Sequence, residues 1–111
     1  MKIVVMTMNV MGFTHKEFRA IIDEMGVEAR PEPGLYQHIA HPTENGYRII
    51  EVWESQEGFE KFVETRMKPA ITKLGINRET MISFQPLHNF FGPRINELPG
   101  LIPQLPGGPN T

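Results

Sequence analysis

Along this chain the spacing of apolar residues switches from that of a strand to that of a helix and back, twice. Residues 2–9 (KIVVMTMN) form a β-branched, methionine-rich run suited to a buried strand. Phe18, Ile21, Ile22 and Met25 then follow at i, i+3, i+4 and i+7, one face of a helix. Strand-like runs return over 35–42 and 47–54. A second helical stripe runs from Phe59 through Phe62, Val63, Met67, Ala70 and Ile71 to Leu74, and 81–88 (MISFQPLH) is again a strand.

Local signals fix where these elements begin and end. Thr14 with Glu17 is a T-x-x-E capping box, and Phe13 with Phe18 occupies the positions of a hydrophobic staple, so two independent signals start a helix at one residue. Gly26 and Gly75 are its natural stop and that of the second helix, which Ser55 caps. Pro69 interrupts the second helical pattern; it has no N–H for the carbonyl of Thr65, which predicts a kink there. Asn45-Gly46 between two apolar runs signals a hairpin. Pro86 predicts that the fourth strand ends early or lies where its amide is not needed.

Two βαβ halves around a hairpin predict an α+β, ferredoxin-like βαββαβ fold, an antiparallel sheet with two helices on one face. The third strand has apolar residues on both sides: Ile50 and Val52 point one way, Ile49 and Trp53 the other, with Glu51 among the latter. Both sheet faces therefore need cover, and a second copy of the sheet is the simplest one, which predicts a homodimer. The domain is expected over 1–91. Residues 92–111 hold five Pro and four Gly and read as an extended tail, whose Leu98, Leu101, Ile102 and Leu105 suit draping over a partner.

Composition removes several function classes. With 11 Lys and Arg against 13 Asp and Glu, scattered along 111 residues, there is no basic stripe for nucleic acid. The absence of Cys removes disulfides, thiolate metal sites and a Cys nucleophile. No run approaches the apolar length of a membrane helix, and Ile3–Met6 is too short for a signal-peptide core, so a cytoplasmic location is expected. The four His show no metal-ligand spacing, and there is no phosphate loop or nucleophile elbow.

The run V-W-E-S-Q-E-G-F-E-K-F (52–62), after an Asn-Gly hairpin in a βαββαβ unit, resembles the dimeric α/β-barrel superfamily, which includes antibiotic-biosynthesis monooxygenase-like proteins and haem-degrading monooxygenases. The resemblance covers about residues 1–91. It implies a pocket between each sheet and its helices or partner sheet. In the haem-degrading members it implies an Asn on the first strand, matched by Asn9, and an aromatic on the second helix, matched by Phe62. Their His falls near Thr72, and no His lies on this helix, which argues against haem; no cofactor is expected.

A two-residue Asn45-Gly46 loop places His38 opposite Trp53 and Ala40 opposite Glu51, on one face; a three-residue loop would separate the first pair. The Ile39, Ile50 and Val52 face is then assigned to the helices and the Trp53 face to the pocket. His38 and Glu51 are the catalytic candidates: the imidazole exchanges a proton near neutral pH and the carboxylate can orient it. Trp53 offers a flat apolar wall. Equally, His38 can be a half-buried structural residue and Trp53 interface packing. Arg66 projects into the apolar stripe of the second helix, where a charge needs a ligand anion, a bridge to Glu51 or Glu54, or a path to water. Two functions stay open. One is a cofactor-independent monooxygenase-like enzyme acting on a small aromatic substrate, with Asn9, Trp53, Phe62 and Arg66 as ligand-binding residues. The other is a non-catalytic dimeric small-molecule-binding or interaction module, favoured if Trp53 and Arg66 fill the pocket.

Overall fold

A computed structural model of the chain describes residues 2–99. Strand β1 (Val4–Met11) buries Val4, Met6, Met8 and Val10 on one face, as its alternation demands. Helix α1 (His15–Met25) begins in the expected capping box: Glu17 N–H donates to Thr14 Oγ1 at 3.1 Å, and Thr14 N–H to Glu17 Oε1 at 3.2 Å. The staple is formed too, with Phe13 and Phe18 edge to face at 6.2 Å. Gly26 ends the helix at φ 65°, a left-handed cap that strains any side chain. Burying Phe18, Ile21, Ile22 and Met25 contributes roughly 1.5–3 kcal/mol per side chain, which is what holds the helix down.

Strands β2 (Leu35–Thr43) and β3 (Gly46–Trp53) form the hairpin, and β4 (Thr80–Pro86) completes an antiparallel sheet in the order β2-β3-β1-β4. Pro86 is the last residue of its strand. The expected hairpin register is corrected. The turn residues are Glu44 and Asn45, Thr43 pairs with Gly46, and His38 lies opposite Glu51 rather than Trp53. Gly46 is the first residue of β3, at φ 154°, and a Cβ there would lie 2.0 Å from the carbonyl oxygen of Val10. Its glycine serves the close approach of β1, not the turn.

The second helix runs over 56–74 in three segments: α2 (Gln56–Phe62), a π turn (Val63–Met67) and α3 (Lys68–Leu74), ending on Gly75 at φ 67°. The irregularity expected at Pro69 takes the form of this wider turn. Lys68 N–H reaches back five residues to the carbonyl of Val63, and the helix enters Pro69 without needing its missing donor.

Both helices cover one face of the sheet, as expected, but the face is the other one. Tyr47, Ile49, Glu51 and Trp53 are buried beneath them, with Met6 and Met8 of β1. Ile39, Ile50, Val52 and Val5 lie on the face the helices leave bare. The slip from expected to observed register is two residues, which keeps every side chain on its own side; the error was in which side the helices take. Beyond β4 the chain makes one short 3₁₀ turn (Ile95–Glu97) and exposes Phe91 (83%) and Leu98 (61%). Leu101, Ile102 and Leu105, on which the tail expectation rests, lie outside the described residues.

Candidate functional site

One row across the sheet carries the chemistry. His38 of β2, Glu51 of β3, Met6 of β1 and Phe84 of β4 are register neighbours, all on the helix side. Glu51 is 6% exposed, a carboxylate inside the core. Burial of such a group is costly unless both oxygens are bonded. Trp53, two residues along the same strand face, donates Nε1–H to Oε1 at 2.8 Å, and Oε2 lies 2.7 Å from His38 Nδ1. Trp53 is wholly buried and touches Phe59 and Phe62, which fixes the indole and, through it, the carboxylate. His38 is held at one nitrogen by an anion, so its Nδ1 carries the proton and Nε2 keeps its lone pair.

These groups border a cavity of about 440 Å³ between the sheet and the helices. Its walls are largely apolar: Met8 and Ile49 from the sheet, Phe18 and Ile22 from α1, Phe62 and Ile71 from the second helix. A volume of this size suits a small organic ligand. His38 and Glu51 are the polar groups on the β2 side of the sheet wall, and Phe18 stacks on the imidazole at 6.3 Å and 25°.

The sequence-derived candidates divide. The structure brings together His38, Glu51 and Phe62 at the cavity wall. Trp53 stands behind the wall and acts on the site through Glu51. Asn9 faces the opposite, bare side of the sheet, where its Oδ1 accepts from Arg48 Nε at 2.9 Å; an odd-numbered residue of β1 cannot share a face with Met8 and Val10. Arg66 is an ion-pair residue with a different partner from either expected carboxylate. It donates to Glu32 Oε1 (3.0 Å) and to the carbonyls of Met25 (2.7 Å) and Arg30 (2.7 Å), tying the end of α1 and the following loop to the π turn. It does not border the cavity, although Glu32 does.

Sequence reasoning missed an aromatic pair next to the site. Tyr47 is buried, hydrogen-bonded through its hydroxyl to His15 Nδ1, and stacked on Phe18 at 5.0 Å and 8°. Burial pushes the Tyr47 phenol above its ordinary range. The signal was present in the alternation Tyr47, Ile49, Glu51, Trp53 along one strand face. Arg78, in the loop before β4, was also missed. It borders the cavity and forms a two-pronged pair with Glu17 (Nε to Oε1 3.1 Å, Nη2 to Oε2 3.0 Å), which holds the Glu17 carboxyl below its usual range. Nothing in its sequence neighbourhood reveals that partner, 61 residues away.

No protein-family model and no curated protein sequence matches the chain. Solved structures do. SnoaB, a cofactor-independent oxygenase from Streptomyces nogalater, is 16% identical, with 81% of this chain and 97% of that one covered at a TM-score of 0.61. A protein provisionally described as an antibiotic biosynthesis monooxygenase, from Chloroflexus aurantiacus, is 17% identical over 80% and 97% of the two chains, with a TM-score of 0.57. Rv0793 from Mycobacterium tuberculosis is 15% identical over 84% and 99%, with a TM-score of 0.54. Among the described residues no helix is long and apolar enough to cross a membrane. By fold, the chain belongs with the antibiotic-biosynthesis-monooxygenase-like proteins of the ferredoxin-like, dimeric α/β-barrel superfamily.

Proposed function

We propose that the protein is a cofactor-independent monooxygenase-like enzyme that oxidises a small phenolic aromatic. The observation that carries this reading is the buried Glu51 carboxylate, anchored by Trp53 and bonded to Nδ1 of a histidine at the wall of an apolar cavity. His38 Nε2 takes the proton of the substrate hydroxyl, and Glu51 stabilises the imidazolium that results. Deprotonation makes the ring an electron donor to dioxygen. A phenol and O₂ then give a quinone and water, a balance that uses O₂ as the sole oxidant and needs no external reductant. Phe18 and Phe62 supply aromatic contact for the ring, and the apolar walls keep water from the reactive anion. The space is not filled by Trp53 or Arg66, which supports an enzyme over a passive module.

The assembly in this reading is a homodimer built through the bare face, with Ile39, Ile50, Val52 and Val5 at its centre. The test of the chemistry is oxygen uptake and quinone formation with a panel of phenols and hydroquinones. Turnover should fall by about 10²–10⁴-fold in His38→Gln, the range of a lost general base. A phenol that binds by calorimetry and is never oxidised, in any member of the panel, would reduce the protein to a binding module.

A further inference from the structure

At its β4 end the cavity carries a cation. Arg78 and Asn77 border it there together with Thr80, the residue paired with Val10 at the far end of β1. The Val10–Thr80 row lies four residues along β1 from Met6, in the His38 row, and so roughly 13 Å away along the strands. The cavity thus has a proton-accepting end and a cationic end with apolar walls between them.

Arg78 is held for a purpose beyond its ion pair. Glu17 engages one edge of the guanidinium, through Nε and Nη2, while Glu17 is itself fixed by the capping box with Thr14. The other edge, bearing Nη1, has no hydrogen-bond partner among the described residues. Gly12 makes room for it: at φ 75°, a Cβ there would stand 3.1 Å from Nη1. The remaining charged groups of the cavity wall are otherwise placed. Glu28 pairs with Arg19, Glu32 with Arg66, and Lys68 is a mostly exposed side chain paired with Glu64. Arg78 alone combines a fixed orientation with an unused donor edge. A guanidinium fork of this kind accepts a second carboxylate beside the first.

We infer that Arg78, with Asn77, is the anion subsite of this cavity, and that the ligand is an elongated aromatic acid. Its carboxylate meets the free edge of Arg78 while its phenolic end reaches His38. This rests on the cavity reading given above and narrows its substrate class.

The probes are 4′-hydroxybiphenyl-4-carboxylate and its methyl ester, titrated by calorimetry into the full chain. The acid should bind about tenfold more tightly than the ester, as one charge-assisted contact provides. Arg78→Gln should bring the two affinities together and leave that of the ester unchanged. Glu17→Gln should act in the opposite direction: Gln preserves the capping box and removes the competing anion, so the preference for the acid should increase several-fold. Loss of stability alone cannot tighten binding, so this variant separates recognition from scaffolding. Equal binding of the two probes overturns the subsite. So does binding of neither at about 1 mM, a preference that survives Arg78→Gln, or one that shrinks in Glu17→Gln. Acid preference without oxygen uptake sinks the oxygenase and keeps the subsite; oxygen uptake with no acid preference does the reverse.

Discussion

Glu51 is the residue at which stability and chemistry can be pulled apart. In Glu51→Ala two donors lose their acceptor. Trp53 Nε1 is the serious one: the indole is 0% exposed, so its N–H cannot turn to water, and an orphaned buried donor costs roughly 1–3 kcal/mol. His38 is 29% exposed on its side chain and recovers part of its loss through solvent. With the lost side-chain packing, the total comes to roughly 2–4 kcal/mol, a drop of many degrees in Tm for a domain of this size. Glu51→Gln should behave differently. Its amide oxygen still accepts from Trp53, and its NH₂ turns toward His38, so the stability cost is about 1 kcal/mol. The imidazole must then accept at Nδ1, which moves its proton to Nε2, and the base is gone. Turnover should fall about 10²–10⁴-fold in a protein that is nearly as stable as the native one. Urea unfolding and oxygen uptake on the same three proteins decide the matter. A Gln variant that keeps its turnover, or that unfolds as easily as the Ala variant, would refute the reasoning.

Arg66→Met should lower stability by roughly 2–3 kcal/mol, because Glu32 and two carbonyls lose their donor, and urea midpoints will show it. Ile50→Lys, on the bare sheet face, should convert a dimer by light scattering into a species near the chain mass of 12.7 kDa, with far-ultraviolet dichroism unchanged. Glu17, whose carboxyl is held low by Arg78, adds stability above the range of an unfolded carboxyl. That stability is lost as pH falls through the depressed folded value, so Glu17→Gln should flatten the acid limb of Tm against pH below about pH 4. Tyr47 is raised, so its contribution is complete below the range of a free phenol and fades as pH climbs through the folded value; ultraviolet titration should find this phenol ionising last.

What could be read in the sequence was local. Thr14, Glu17, Phe13 and Phe18 announce a helix start because every partner lies within five residues, and Gly26 and Gly75 announce ends for the same reason. Gly46 misled because its cause is not local. Beside Asn45 it looks like half of a tight turn, yet both turn residues keep negative φ and the glycine answers to Val10, on a strand 36 residues earlier in the chain. The sheet faces were exchanged because a face bearing Glu51 reads as the wetter one. That judgement holds only for a carboxylate without Trp53 and His38 to bond it. His38 and Glu51 were singled out as residues able to do acid–base work, while the cation at the far end, being a contact between α1 and the β4 loop, left no trace in the spacing of the chain.

The π turn sets how this second helix tolerates changes in length. A regular α-helix advances about 100° per residue, so the extra residue held in 63–67 acts as a phase shift between its two halves. The first half aims Phe59 and Phe62 at Trp53; the second aims Ala70 inward and Ile71 at the cavity. A single deletion within 63–67 would make the helix more regular by hydrogen-bond count and yet rotate everything beyond it by a quarter turn, carrying Ile71 off the cavity wall. A shortened helix would then keep its backbone bonding and lose its address. For the same reason, an alignment of chains with this fold should be allowed a one-residue gap just ahead of Pro69, where the register of the helix is set.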